Sequence, residues 1–297
     1  MTNAEVWLKG KIKTFAVKMF GGPKSSFIIS YFYHRKQLPH LRNPKNLSEI
    51  LIKRVIDGEI DKLYYLADKY LMRNYIEEKG LGRHLPKLLG VYEQAEDIDF
   101  DKLPERFALK MNFGAGMNII CTDKAKLNIA ATKDQLNKWL KRKPIYSYAE
   151  THYNLIQRRI ICEEFIDDGK GGFPVDYKFM CVKGEPMCCL VCVDRKKKQE
   201  RYIPLSLNWN YLKDWDAQEN QDNVNGNYLP HQPENFTQML DIAKKMSTDI
   251  PFVRVDLYSN GKRIWIGELT LTPDGCIMHR WTMKALDEMG KAYRKDI

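Results

Sequence analysis

Phe252-Val-Arg254-Val-Asp256-Leu-Tyr258 and Arg263-Ile-Trp-Ile-Gly267-Glu268-Leu-Thr270-Leu271 flank Ser259-Asn-Gly261, two alternating runs about an Asn-Gly turn. The pattern predicts a β-hairpin, because Asn and Gly tolerate the positive φ that a tight turn requires. Alternation with period two puts Arg254, Asp256 and Tyr258 on one face of the first strand, and Glu268 and Thr270 on one face of the second. Asp256 and Glu268 are then paired acids on neighbouring strands, able to point the same way. A surface pair of cross-strand acids is the plain alternative. Apolar neighbours weigh against it, as does the repulsion of like charges set side by side without a cation. Two hard carboxylates suit nucleotide-bound Mg²⁺, which keeps waters and phosphate oxygens as its other ligands.

Upstream lies a strand-rich block. Arg159 to Ile166, Asp176 to Val182 and Pro186 to Val193 read as short strands separated by Gly, Asp and Pro turns. Phe236 to Met246 reads as a helix, and 205–235 as an irregular polar excursion. Further back, Phe107-Ala-Leu-Lys110 is strand-like and runs into Asn112-Phe-Gly114-Ala-Gly116, whose glycines let backbone approach a phosphate. This is not a Walker A loop, and alone it reads first as a plain β-turn. Lys133 to Lys141 and much of Leu47 to Tyr75 read as helical. Cys162-Glu163-Glu164-Phe165-Ile166 runs into Asp167-Asp168, acids at a strand end that can meet ribose hydroxyls while the backbone meets a base. Lys178, in Asp176-Tyr-Lys178, is an odd strand charge unless an anion faces it. The class is α+β with mostly antiparallel sheets.

With 44% hydrophobic and 29% charged residues in 297, the composition is that of a globular chain, neither disordered nor polytopic. No apolar run nears the ~18 residues of a spanning helix. Seven cysteines fit no zinc spacing; Cys189-Leu-Val-Cys192 lies inside the apolar run Met187 to Val193 and reads as buried thiols before it reads as a redox or metal pair. Free thiols, with no basic leader at Met1 to Glu5, predict a reducing cytoplasm. The net charge is +10, and residues 1–46 hold +8 of it. Wound as a helix, Leu8, Ile12, Phe15 and Met19 share a face flanked by Lys9, Lys11, Lys13 and Lys18. That suits peripheral contact with an anionic membrane surface; a solvated helix docked on the protein's own body is the competing reading. No RNA- or DNA-binding motif accompanies the charge, so nucleic acid is not an expected partner.

Taken in order, these clusters resemble the ATP-grasp fold, and more narrowly the TupA-like ATP-grasp family of bacterial polysaccharide-assembly proteins. The likeness runs from about Asn43 to Gly290, with Ala67-Asp-Lys69-Tyr-Leu-Met-Arg73 as a further segment. The charge sets off a basic extension over 1–46, and the resemblance implies an ATP-grasp domain over 47–297, whose smaller nucleotide-clasping subdomain covers about 105–165. ATP with Mg²⁺ would lie between two α+β subdomains. Lys69 and Lys110 would reach phosphates or the adenine edge, and Gly114 to Gly116 would close over the phosphates. Glu163, Glu164, Phe165 and Ile166 would form the adenine hinge, with Asp167 or Asp168 on the ribose. Lys178 would be a further phosphate contact, Asp256 and Glu268 the metal ligands, and Arg254 would steady the transferred phosphate or the acceptor carboxylate. Thr270 stands where many relatives carry Asn, and Phe113 and Ala115 stand where the loop usually reads His and Ser.

The implied reaction is carboxylate–amine ligation through an acyl phosphate, on a small-molecule or glycan substrate that a lipid carrier could bear. Two rivals stay open. A glycosyltransferase would use a D-x-D acid pair, for which Asp97-Ile-Asp99-Phe-Asp101 and Asp214-Trp-Asp216 are candidates. A phosphotransferase would use the same ATP site. His152, in Tyr148-Ala-Glu150-Thr-His152, is the histidine best placed for substrate.

Overall fold

The computed structural model describes residues 23–142, 150–169, 172–193, 200–217 and 229–295. The expected helical face over Leu8 to Met19 and the lysine run Lys196 to Lys198 lie outside them.

Two sheets carry the fold, and every pairing in them is antiparallel. The smaller has four strands, β1 (Leu88–Tyr92), β2 (Phe107–Met111), β3 (Asn118–Cys121) and β4 (Ile160–Glu164), in the order β1-β4-β2-β3. The larger has β5 (Val175–Val182), β6 (Glu185–Val193), β7 (Arg201–Leu205), β8 (Phe252–Ser259) and β9 (Ile264–Thr270), in the order β7-β6-β5-β8-β9. The smaller unit thus starts earlier than the expected 105, because Leu88–Tyr92 pairs with β4. Its five half-buried residues show no alternation, so nothing local marked it as a strand.

Period two sorts the larger sheet into two faces. Tyr177, Phe179, Val255 and Leu257 are buried in the core. The helix Phe236–Ser247 presents Phe236, Met239, Ile242, Ala243 and Met246 at helical spacing, all buried, and Phe236 stacks on Phe179 at 5.9 Å between ring centroids. The opposite face presents Asp176, Lys178, Met180, Arg254, Asp256 and Tyr258 to a cavity. Cys189 is in the core while Cys192, three residues on, lines the cavity, so the formal C-x-x-C cannot converge on one metal. All seven thiols are free and buried, and burial pushes those of Cys188 and Cys189 well above the ordinary range.

The described half of the basic extension belongs to the body. Helix Pro23–Arg35 buries Phe27 and Tyr31 against the core. Tyr31 donates its hydroxyl to Glu49 at 3.2 Å, and the same fully buried carboxylate accepts from the backbone of His40 (3.0 Å) and Lys45 (2.7 Å). Burial raises the affinity of Glu49 for a proton, but those donors outweigh it and hold its pKa below the usual range. An independent extension over 1–46 is therefore not what residues 23–46 form. Sequence reading missed this because Phe27 and Tyr31 sit among equally apolar neighbours.

Arg35, at the end of that helix, donates to the carbonyls of Trp281 (2.9 Å), Ile277 (2.9 Å) and Met278 (2.8 Å), and Ser48 donates to Cys276 O at 2.5 Å. The segment they hold is a strained one. Asp274, Cys276 and Met278 all adopt positive φ (49°, 67° and 51°), which non-glycine residues keep only when their surroundings enforce it. Replacing Arg35 with Leu leaves three carbonyls without a charged donor, and about 2 kcal/mol of stability should be lost. Urea denaturation of the two proteins measures it; an unchanged midpoint would mean that the clamp holds nothing.

Candidate functional site

The hairpin forms as its sequence predicts, with one addition. Asp256 is the direct cross-strand partner of Glu268 on one side and of Lys178 on the other. The register shifts between Asp256 and Leu257, and Gly267 is the extra residue of β9. A side chain there would strike the Tyr258 ring, since a Cβ on Gly267 would lie 2.5 Å from it.

Asp256 is nearly inaccessible, at 2% exposure, and is surrounded by cations. Its Oδ1 accepts from Arg254 Nε at 2.6 Å; its Oδ2 accepts from Arg254 Nη2 at 2.7 Å and Lys178 Nζ at 2.6 Å. Lys178 also pairs with Asp176 at 2.8 Å. Burial alone would protonate Asp256, but Arg254 and Lys178 reverse that and hold its pKa below the ordinary carboxylate value. Burial works against the charge on Lys178 too, and is overridden by Asp256 and Asp176, which raise its pKa. Thr270 accepts from Arg254 at 3.0 Å and donates to Glu268 at 3.3 Å, joining the second acid to the network. With three of its four acceptor sites used, Asp256 retains one on Oδ1. Asp256 and Glu268 therefore fit Mg²⁺, which is commonly held by one or two carboxylates plus substrate oxygens. Among the described residues no cluster of three or more His, Cys, Asp or Glu forms a metal cage.

The cavity above this network has a volume of about 410 Å³ and is bounded on the smaller sheet's side by Lys69, Lys110 and the loop Gly114–Gly116. Gly114 and Gly116 adopt φ of 65° and 72°, the left-handed values for which glycine is suited. Lys69 ties down the loop through its Nζ on Gly114 O at 2.7 Å. Asn112, fully buried, fixes the loop's base: its side chain donates to Gln157 O at 2.9 Å and accepts from Arg159 N at 2.7 Å. A second, more apolar hollow of about 210 Å³ adjoins, lined by Ala108, Ile120, Phe165, Ile166, Phe173 and Pro174, with Lys110, Asn118, Glu200 and Tyr258 shared between the two. Apolar walls with a few polar groups at the edge suit this slot to a planar heteroaromatic base.

The structure gives several expected residues a different place. Glu163 is 4% exposed and, as the cross-strand partner of Ala108, shares the sheet face that lines the slot: it accepts from Lys110 Nζ at 2.7 Å and Arg73 Nη1 at 3.1 Å. It positions Lys110. Glu164, Phe165 and Ile166 do line the slot. Asp168 accepts from Gly172 N at 2.6 Å and Asp167 pairs with Arg106 at 2.8 Å, so both brace the turn and neither lines either hollow. The acid that borders both hollows is Glu200, which accepts from the Tyr202 hydroxyl at 3.0 Å. Arg280, stacked on the Tyr202 ring at 4.0 Å, lines the large cavity with Asp274 and Trp281. None of these five had a sequence signal: Glu200 and Tyr202 lie at the start of β7, and Asp274, Arg280 and Trp281 in or beside the strained loop.

The D-x-D pairs are engaged elsewhere. Asp99 caps a turn on Asp101 N, Asp214 pairs with Lys284 at 2.6 Å, and Asp216 accepts from Tyr211 at 3.0 Å. His152 is fully buried, its ring 4.3 Å from that of Tyr153, and neither ring nitrogen has a hydrogen-bond partner. It is a core residue. Burial lowers its pKa to about 4. The unfolded chain therefore binds a proton that the folded chain refuses between pH ~6.5 and 4, so stability falls as pH falls through that window. The effect should reach about 3 kcal/mol at full protonation of the unfolded state. His152→Phe should flatten the pH dependence of the thermal midpoint between pH 6.5 and 4 relative to wild type; parallel curves would contradict it.

The sequence matches the family described as TupA-like ATPgrasp over residues 46–293. No curated protein matches it. Among solved structures, the chain is similar to the ATP-grasp ligase PsnB complexed with a minimal precursor, at 13% identity and a TM-score of 0.40 over 83% of this chain and 67% of that one. It is also similar to D-alanine–D-alanine ligase from Bacillus anthracis, at 16% identity and a TM-score of 0.42 over 77% and 64% of the two chains. The ATP complex of that ligase gives 12% identity and 0.45 over 78% and 68%. The chain thus spans about two thirds of the length of these ligases. With that match covering most of the chain, the protein belongs to the TupA-like ATP-grasp family.

Proposed function

We propose that the protein is an ATP-dependent ligase that joins a carboxylate to an amine. The observation that carries the reading is the buried Asp256, set between Lys178, Arg254 and Glu268 at the floor of a cavity that opens into an apolar base slot. Adenine would enter the slot between Ile120, Phe165 and Phe173, and the phosphates would lie under Gly114–Gly116 near Lys69, Lys110 and Lys178. Asp256 and Glu268 would hold Mg²⁺, which supplies charge neutralisation for the phosphoryl oxygens when bound. Glu163 and Arg73 hold Lys110 in place, and Asp176 holds Lys178, so both ammonium groups are fixed before substrate arrives.

In the reaction, a carboxylate oxygen of one substrate takes the γ-phosphoryl group of ATP and ADP leaves. The amine of a second substrate then attacks the acyl carbon, releasing inorganic phosphate and a proton and leaving an amide. No protein nucleophile is needed; the chain provides cations around the migrating charge and a site that excludes water. Arg254 is placed to steady that charge. Arg280, at the other side of the cavity on Tyr202, is the cation we assign to the acceptor carboxylate. A role in surface glycan assembly, with a uronic acid or an acidic amino acid as the carboxylate, follows from the family resemblance alone. The engaged D-x-D acids weigh against a glycosyltransferase.

Glu268→Gln keeps the shape and removes one of the two metal-binding charges. Mg²⁺-dependent ATP turnover should fall about 100-fold or more, with the thermal midpoint little changed. A variant that turns over ATP normally would mean that the hairpin does not hold the metal.

A further inference from the structure

Helix Pro23–Arg35 has two apolar stripes on opposite faces. Phe27 and Tyr31, with Ser26 and Ser30, are buried against the core. Ile29, Phe32 and Tyr33 lie half a turn round, at i, i+3 and i+4, and are 40%, 52% and 53% exposed. Leu38, just beyond the helix, is 63% exposed. Four of the eight large hydrophobics exposed among the described residues thus sit within ten residues of chain. One of the other four, Phe173, lines the base slot. A helix that is apolar on both faces ordinarily has both faces covered, and here the second stripe stays substantially exposed against the described residues.

The chemistry around the open stripe narrows what covers it. Lys24 and Lys36 bracket the helix, with Lys36 over the Tyr33 ring at 5.1 Å, and Arg42 and Lys45 follow. Residues 1–46 hold +8 of the net charge of +10. A second copy of the chain, docked by a two-fold axis on the same face, would set this positive segment against itself, which is unfavourable. A nucleic-acid backbone would satisfy the cations but has no use for Ile29, Phe32 and Leu38. An anionic bilayer satisfies both: lipid phosphates meet the lysines while the apolar stripe enters the headgroup–acyl boundary.

We propose that the outer face of helix Pro23–Arg35, with Leu38, is a peripheral membrane-docking surface for anionic phospholipid. The same helix ends at Arg35, whose guanidinium holds the carbonyls of Ile277, Met278 and Trp281 behind the cavity wall. The helix that lies on lipid on one side therefore supports the loop carrying Arg280 and Asp274 on the other. This rests on the helix alone and stands whether or not the cavity binds ATP.

Cosedimentation of the full chain with sonicated phosphatidylglycerol or phosphatidylcholine vesicles tests it, alongside Phe32→Ser/Tyr33→Ser/Leu38→Ser. These three side chains are more than half exposed, so the triple variant should fold, as its thermal midpoint will report. Partitioning onto phosphatidylglycerol at 50 mM salt should exceed that onto phosphatidylcholine by about tenfold or more, and fall at 1 M salt, where the Debye length shrinks to about 3 Å. The folded triple variant should lose about tenfold in partitioning as well. Equal binding to both lipids, no binding, or undiminished binding by the folded triple variant would each overturn the proposal. So would a concentration-dependent dimer in sedimentation that the triple variant abolishes, since the occupant would then be a second copy. Should the triple variant fail to fold, Lys24→Glu/Lys36→Glu replaces it, with the same tenfold loss expected and undiminished binding overturning the proposal.

Discussion

The Asp256 carboxylate, closed off from water and holding two cations, is the constraint on which the larger sheet depends. Removing three charges from water is costly, and only the complete set of short contacts to Arg254 and Lys178 makes it tolerable. That requirement fixes register. Slipping β8 by one residue against β5 would carry Asp256 to the face now occupied by Val255 and Leu257 and leave it unpaired in the core. Apolar burial on one face and ionic pairing on the other therefore select the same alignment. The chemistry of the site and the packing of the sheet are two consequences of one register.

The cations are arranged in advance of any ligand. Lys178 is shared between Asp176 and Asp256, and Lys110 is held by Glu163, itself held by Arg73. Long, flexible side chains lose entropy when ordered, and here folding rather than substrate binding orders them. The far wall is organised on the same logic with different materials. Three non-glycine residues in left-handed conformations make the loop that carries Arg280, and Arg35 and Ser48 fasten its carbonyls from behind. A strained cavity wall is thus braced by an N-terminal helix more than 240 residues away in sequence.

Much of this could be read from the residues. Alternation about Asn260-Gly261 placed Asp256 opposite Glu268, and a lysine ending a strand before two glycines marked the wall now formed by Lys110, Gly114 and Gly116. These are local patterns with a fixed period, which is why they survive without a structure. That the Glu163 side chain meets Lys110 depends on the pairing of β4 with β2, which no local pattern specifies. Asp168 has no sequence feature to distinguish a turn-bracing acid from one that meets ribose. Helix Pro23–Arg35 was hidden in the charge of its neighbours, and Arg280 with Tyr202 come together only through tertiary packing.

A nucleotide and Mg²⁺ should complete the Asp256–Glu268 network and the apolar slot. The most direct measurement is a thermal-shift panel on the purified protein with ATP, ADP, UDP-sugars and GDP-sugars, each with Mg²⁺ or Mn²⁺. ATP with Mg²⁺ at about 100 times its Kd should stabilise the protein by about 2.7 kcal/mol, with the sugar nucleotides leaving the midpoint unmoved. A larger shift with a UDP- or GDP-sugar and Mn²⁺ than with ATP would contradict the account.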